Sequence, residues 1–159
     1  MLSQATGYAA TALGFVAAAG GKPVLVRNIA EACEIPAPYL SKIIHALARS
    51  GIVQTQRGIG GGVTLNADAT QLTIYDICVA LDDPMLERRC MLGVAVCSDE
   101  RACPAHKFNL EQRRKTLEFL QQNTVADIAA FESQRRWGGA PQPQMEAGGD
   151  TELRVAQSG

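Results

Sequence analysis

Residues 27–66, RNIAEACEIPAPYLSKIIHALARSGIVQTQRGIGGGVTLN, carry the reading that decides the fold. From Arg27 to Cys33 a short helix would place Ile29, Ala30 and Cys33 on one face, and Glu34-Ile35-Pro36 supplies the turn that ends it. A second helix begins near Pro38, a residue suited to the first helical turn, and runs to Ser50 with Gly51 as its terminator. Leu40, Ile43, Ile44 and Leu47 recur at i, i+3, i+4 and i+7, the spacing of a buried stripe, while Pro38, Ser41, Lys42, His45 and Arg49 share the opposite face. Ile52 to Arg57 and Gly62 to Asn66 then read as two short strands around the glycine-rich turn Gly58-Ile59-Gly60-Gly61-Gly62. Two helices in tight succession followed at once by a hairpin make a winged helix-turn-helix, with the helix from Pro38 as its reader of a DNA groove.

That assignment nominates a nucleic-acid face. Ser41 suits phosphate or base edges, Lys42 suits phosphate, His45 follows one turn on, and Tyr39 is placed for the backbone or a thymine methyl. Arg57 stands at the base of the hairpin tip, where a guanidinium enters a minor groove, and Gly60 with its neighbours lets the main chain approach the duplex closely. Taken singly, Tyr39 reads equally well as a half-buried core residue, and Lys42, His45 and Arg49 as a solvated helix face. The run Gly58 to Gly62 is no phosphate loop of a nucleotide enzyme. It lacks the Lys-Ser/Thr pair and joins two strands rather than a strand and a helix.

Around this unit, Tyr8 to Ala19 reads as a first helix stopped by Gly20-Gly21 and Pro23. Its apolar run lacks a preceding Lys or Arg and is broken by Thr11 and Gly14, so it is a poor secretory leader; no stretch is apolar enough to span a bilayer, and the chain is read as cytoplasmic. Thr73 with Asp76 forms a capping-box pattern ahead of Ile74, Ile77, Cys78 and Leu81, and Pro84 closes that helix. A longer helix is expected from about Pro104 to Gln122, and Thr124 with Asp127 starts another through Phe131. The net charge of −1 carries no global signature of nucleic-acid binding, but residues 1–66 hold Lys22, Arg27, Lys42, Arg49 and Arg57 against only Glu31 and Glu34. With 159 residues, 47% of them apolar, the chain can bury an ordinary core. The predicted organisation is a winged unit over 1–83, a loop over 84–103, helices over 104–135 and a disordered tail over 136–159, rich in Gly, Pro, Gln and acidic residues.

Five cysteines are an odd number in a chain read as cytoplasmic, so a disulfide framework explains them poorly. Cys33 and Cys78 belong to apolar helix stripes and read as small core hydrophobes. Cys90, Cys97 and Cys103 differ: with His106 they put three thiols and an imidazole within 17 residues. Thiolates suit iron-sulfur clusters, zinc or copper(I), and the x6 and x5 spacings are wider than the tight pairs of structural zinc sites, which favours a cluster. Arg88 and Arg89, just ahead of Cys90, would favour its thiolate by their charge or else be ordinary solvated residues. Unliganded thiols acting as a redox switch remain the competing reading of the loop.

Thr6-Gly7-Tyr8-Ala9, Ile29-Ala30, Tyr39-Leu40-Ser41-Lys42-Ile43, Arg57-Gly58-Ile59-Gly60-Gly61-Gly62 and the three-cysteine loop together resemble the Rrf2 family of bacterial regulators, over about residues 1–135. The resemblance implies a mainly α fold with a small β-hairpin, a winged helix-turn-helix plus a long dimerisation helix. It implies a homodimer on a near-palindromic double-stranded DNA operator, with an iron-sulfur cluster near the dimer interface. In one branch of the family a His three residues after the last Cys completes a 2Fe-2S site, and His106 holds that position. In another an acidic residue near the partner's N-terminus does so, where this chain has Gly7. Cys90, Cys97, Cys103 and His106 are therefore the implied ligands, of 2Fe-2S in preference to 4Fe-4S. The first cysteine spacing is one residue longer than in that branch, and Pro38 replaces a more usual polar residue.

The function expected is a non-enzymatic transcriptional regulator sensing iron-sulfur status, redox or nitric oxide. Its rivals are a cluster-free winged regulator using the cysteines for zinc or thiol chemistry, and a small iron-sulfur electron carrier or enzyme. A carrier has no use for the winged unit.

Overall fold

The computed structural model describes residues 1–93, 96–101 and 103–134. The tail expected over 136–159 and the last residue of the segment 104–135 lie outside the described residues. Helix α1 (Gln4–Ala18) is followed by α2 (Val26–Cys33), α3 (Ala37–Arg49), strands β1 (Val53–Gln56) and β2 (Gly62–Leu65), α4 (Ile74–Ala80), α5 (His106–Gln122) and α6 (Val125–Glu132). Short 3-10 turns at Pro84–Leu86 and Asp99–Arg101 punctuate the cysteine loop. The mainly helical winged architecture is the one the sequence pattern predicts. Helix α1 begins four residues earlier than expected. Ser3 accepts a hydrogen bond from the Thr6 N–H and caps it, a signal masked by the polar residues ahead of the apolar run.

The core is built from the predicted stripes. Leu40, Ile43, Ile44 and Leu47 of α3 meet Ile29 and Cys33 of α2, Leu13 and Val16 of α1, and Val53 and Val63 of the hairpin. The hairpin is antiparallel with Val53 opposite Leu65 and Gln56 opposite Gly62. Val24, ahead of α2, pairs with Val63 as a single-residue third strand, with N···O distances of 2.8 and 3.0 Å. This pairing ties the wing to the helical layer. Gly62 makes it fit: its φ is 154°, and a Cβ there would sit 2.8 Å from the main chain of Val24. Gly14 has a similar role where α6 crosses α1, because a Cβ would approach Ile128 to 3.0 Å.

Two capping boxes set the far side of the molecule. Thr73 and Asp76 start α4, Thr124 and Asp127 start α6, and the two caps lie side by side through a Thr73–Thr124 bridge. Ile74 N–H donates to the Asn123 carbonyl at 2.9 Å and Val125 N–H to that of Leu72 at 2.8 Å. The C-terminal end of α5 is thereby returned to the winged unit, Leu120 packing with Ile74 and Cys78. Helix α6 then lies along α1.

Asp83, three residues past the end of α4 and capping the 3-10 turn Pro84–Leu86, closes this assembly from the other side. Its side chain is 2% exposed and accepts hydrogen bonds from the Ser3 N–H at 3.0 Å, the Thr6 hydroxyl and the Met85 N–H at 2.8 Å. Burial pushes its carboxyl up, but the bonds from Thr6, Met85 and Ser3 outweigh burial and hold it below its ordinary value of 3.8. Asp83→Asn turns one acceptor oxygen into a donor facing another donor, and urea unfolding at neutral pH should show a loss of about 1–3 kcal/mol. Because the folded group is the stronger acid, the stabilisation is present above pH 3.8 and fades as pH falls through the depressed folded value. The gap between wild type and variant should therefore narrow on acidification. Gly62→Ala should cost about 1–3 kcal/mol, read from the same denaturation midpoint, because the new methyl displaces the Val24 strand.

Candidate DNA-reading face and cysteine loop

Helix α3 turns its stripe inward, so the residues between those positions must face solvent. Ser41, Lys42, His45 and Arg49 are all exposed. Ser41 donates its hydroxyl hydrogen to the Ala37 carbonyl at 2.9 Å, which leaves an oxygen lone pair directed outward as an acceptor. Tyr39 stands at the edge of exposure, and its ring meets Tyr8 of α1 edge-on, with centroids 5.8 Å apart and planes at 77°. Part of the Tyr39 ring is thus committed to α1 and the remainder borders the exposed face of α3. Arg57 and Gly60 are exposed on the wing, where Gly58 and Gly60 take φ of 93° and 75°. Ile59 projects between them, 95% exposed. Lys42, Arg49 and Arg57 give this surface its positive charge.

The cysteine loop leaves the body at Asp83 and returns at α5. An antiparallel bridge joins Arg89 to Val96, and the Cys97 N–H donates to the Arg88 carbonyl at 3.2 Å, so the chain folds back on itself between Cys90 and Cys97. Cys97 and His106 are buried at 7% exposure each, while Cys90 and Cys103 are half-buried. Cys97 Sγ lies 3.3 Å from His106 Nδ1, and His106 Nε2 lies 2.9 Å from the exposed carboxylate of Asp99. The His106 main-chain N–H bonds the Cys103 carbonyl at 2.9 Å, and Pro104 and Ala105 form the turn ahead of α5, which starts two residues later than expected. Cys97 and His106 are therefore in contact, with Cys103 adjoining them through the helix start and Cys90 one residue beyond the bridge. Among the described residues no three His, Cys, Asp or Glu side chains converge as a ready-made metal site.

The other two cysteines are core residues. Cys78 is fully buried, and burial, followed by the Asp83 charge, pushes its thiol up to about 11. Cys33 is 5% exposed and its thiol faces the Thr11 carbonyl at 3.9 Å. Arg89 forms an ion pair with Glu87 at 2.6 Å, so its charge is engaged there and not directed at Cys90 alone.

Three residues of the site escape a reading by motif. Asp99 falls two positions after Cys97 and reads as part of an acidic pair. Asn109 donates to the Arg89 carbonyl at 3.1 Å, and Arg113 donates to the carbonyls of Met85 at 3.3 Å, Glu87 at 2.8 Å and Leu86. The spacing of His106, Asn109 and Arg113 on one helix face is visible in the sequence, but their main-chain partners are not.

No helix among the described residues is long and apolar enough to cross a membrane. Over residues 2–130 the chain matches the profile of the Rrf2 family, described as iron-dependent transcriptional regulators. It is 31% identical over 126 residues to the HTH-type transcriptional regulator IscR of Sodalis glossinidius, a match covering 79% of this chain and 76% of the relative. Among solved structures, CymR, the global cysteine regulator of B. subtilis, superposes with a TM-score of 0.68 at 25% identity, over 82% of this chain and 97% of that one. The IscR of T. potens does so with a TM-score of 0.62 at 26% identity, over 84% and 89%. With its winged helical core, exposed basic reading helix and glycine-rich wing, the chain belongs to the Rrf2 family and is a DNA-binding transcriptional regulator, not an enzyme.

Proposed function

We propose that the chain acts as a homodimer on a near-palindromic operator, and that its DNA affinity is set by an iron-sulfur cluster, 2Fe-2S in preference to 4Fe-4S, held by Cys90, Cys97, Cys103 and His106. The observation that carries this reading is the 3.3 Å contact between the Cys97 thiol and His106 Nδ1 at the root of α5. One imidazole nitrogen faces the Cys97 thiol and the other is tied to Asp99, the arrangement that orients histidine ligands at metal sites. Three thiols and an imidazole also form a donor set suited to iron. When bound, the cluster supplies an iron-thiolate centre open to oxidants and nitric oxide. The protein's part is to hold two donors on or beside a rigid helix and two on a loop, so that ligation and loss reorder the loop. Such reordering changes DNA affinity only to the extent that one DNA-binding state is favoured over the other.

A second copy is the natural cover for α5. Phe108 and Phe119, eleven residues apart and so on one face of α5, are each more than half exposed, on the side of the helix away from the buried His106 and Leu120. In the DNA complex, Lys42 would neutralise phosphate, Ser41 and His45 would reach base edges or phosphate, Tyr39 would border the backbone, and Arg57 with Gly60 would enter the minor groove.

The same Cys97–His106–Asp99 alignment supports a second reading, thiol redox sensing without a cluster, because an imidazole held by a carboxylate assists thiol chemistry. Iron and sulfide analysis with an absorption spectrum, on protein purified without oxygen, separates the two. The cluster reading expects visible charge-transfer bands and stoichiometric iron and sulfide, lost in Cys97→Ala and spectrally shifted in His106→Ala. Iron-free wild type that resists reconstitution leaves the thiol reading. For the DNA face, Lys42→Ala should weaken binding to operator and unrelated duplexes alike and reduce the slope of log affinity against log salt by about one. An unaltered slope removes Lys42 from the phosphate contacts.

A further inference from the structure

The segment leading to Cys90 is held unusually. After the 3-10 turn Pro84–Leu86, the carbonyls of Met85 and Leu86 accept no main-chain bond among the described residues, the ordinary fate of groups at a helix C-terminus, and that of Glu87 accepts one from the Arg89 N–H at 3.1 Å. The guanidinium of Arg113 accommodates all three, with Nη1 donating to Met85 and Glu87 and Nη2 to Leu86. One turn nearer the N-terminus of α5, Asn109 donates to the carbonyl of Arg89, the residue directly before Cys90. Apolar packing cannot substitute for these bonds. Met85 and Leu86 reach the small cluster around Ile74, Cys78 and Leu120, but beside these bonds an open cavity of about 310 Å³, lined by Pro84, Met85, Glu87 and Arg89 together with Asn109, Arg113 and Leu117, leaves the contact incompletely packed.

The bonds also form a circuit. Arg113 and Asn109 fix residues 85–89 on α5; Arg88 and Arg89 pair with Cys97 and Val96; and Cys97 touches His106, on the same face of α5, seven residues before Arg113. We infer that Arg113, assisted by Asn109, is the positioning residue that holds Cys90 and Cys97 of the candidate cluster site against α5. The inference rests on the cluster reading for its functional meaning, but the clamp itself is a property of the cluster-free chain. Lysine cannot replace arginine here, because an ammonium lacks the planar fork that spans three carbonyls.

The test uses the full chain, cluster-free and reduced, with iodoacetamide alkylation of each cysteine followed by mass spectrometry in wild type, Arg113→Met, Arg113→Lys and Asn109→Ala. Loss of the clamp should raise the alkylation rates of Cys90 and Cys97 by about tenfold in both Arg113 variants and by less in Asn109→Ala. Cys103, outside the clamped strand, should keep its wild-type rate, and Cys33 and Cys78 should stay protected. Unchanged Cys90 and Cys97 rates in all three variants overturn the proposal. A rise at all five cysteines in every variant also overturns it, since Arg113 is then a general stabiliser. Should Arg113→Met alone unfold, Arg113→Lys and Asn109→Ala decide by the same criteria. Anaerobic reconstitution with ferrous iron and sulfide runs in parallel, with lower iron content expected in the Arg113 variants. Wild type that takes up no iron but shows the labelling pattern retains the clamp and loses the cluster reading. Equal iron uptake with unchanged labelling does the reverse.

Discussion

The carboxylate of Asp83 is the constraint on which the arrangement turns. A buried charge is costly unless its oxygens are occupied, and here the donors come from two distant places, the start of α1 and the first residues of the cysteine loop. One side chain therefore fixes where the N-terminus lies and where the loop departs. Since α1 packs against α2, α3, β2, α4 and α6, the loop's point of departure is registered against the whole winged unit.

The second fixed point is the side-by-side pairing of the capped starts of α4 and α6. It anchors the C-terminal end of α5 through Asn123 and Leu120, while the N-terminal end of α5 bears on the loop through His106. Helix α5 is thus held at both ends and, through Asn109 and Arg113, between them, with Phe108 and Phe119 exposed on the side away from these contacts. The loop is therefore joined to the winged unit in two ways, along α5 and through Asp83 to α1.

The DNA face shows a different economy. Its residues are exposed because the stripe they flank is buried, and the wing keeps its place through the core burial of Val53 and Val63 and a main-chain pairing with Val24 that only a glycine at position 62 permits. Nothing in the core constrains the outward side chains of Ser41, Lys42 and His45, the residues proposed to meet the operator. Substitutions there leave the buried stripe of α3 intact.

The local pattern by itself determined the helices of the winged unit, the hairpin, both capping boxes and the core placement of Cys33 and Cys78. Each of these follows from hydrophobic period, cap chemistry or glycine position, which act between residues a few positions apart. The three-cysteine loop and His106 were legible as a set of donors, since soft ligands at such spacing are conspicuous in composition alone. Tertiary structure decided the rest: the burial of Asp83, the strand pairing of Val24, the contact of Cys97 with His106, the carboxylate behind that imidazole, and the grip of Asn109 and Arg113 on residues 85–89. These partners are main-chain groups, residues far away in the chain or, for Cys97, Asp99 and His106, near neighbours in a stretch with no regular period to align them. A main-chain carbonyl is the same at every position, so no pattern of side chains announces which one an arginine will reach until the fold has brought them together.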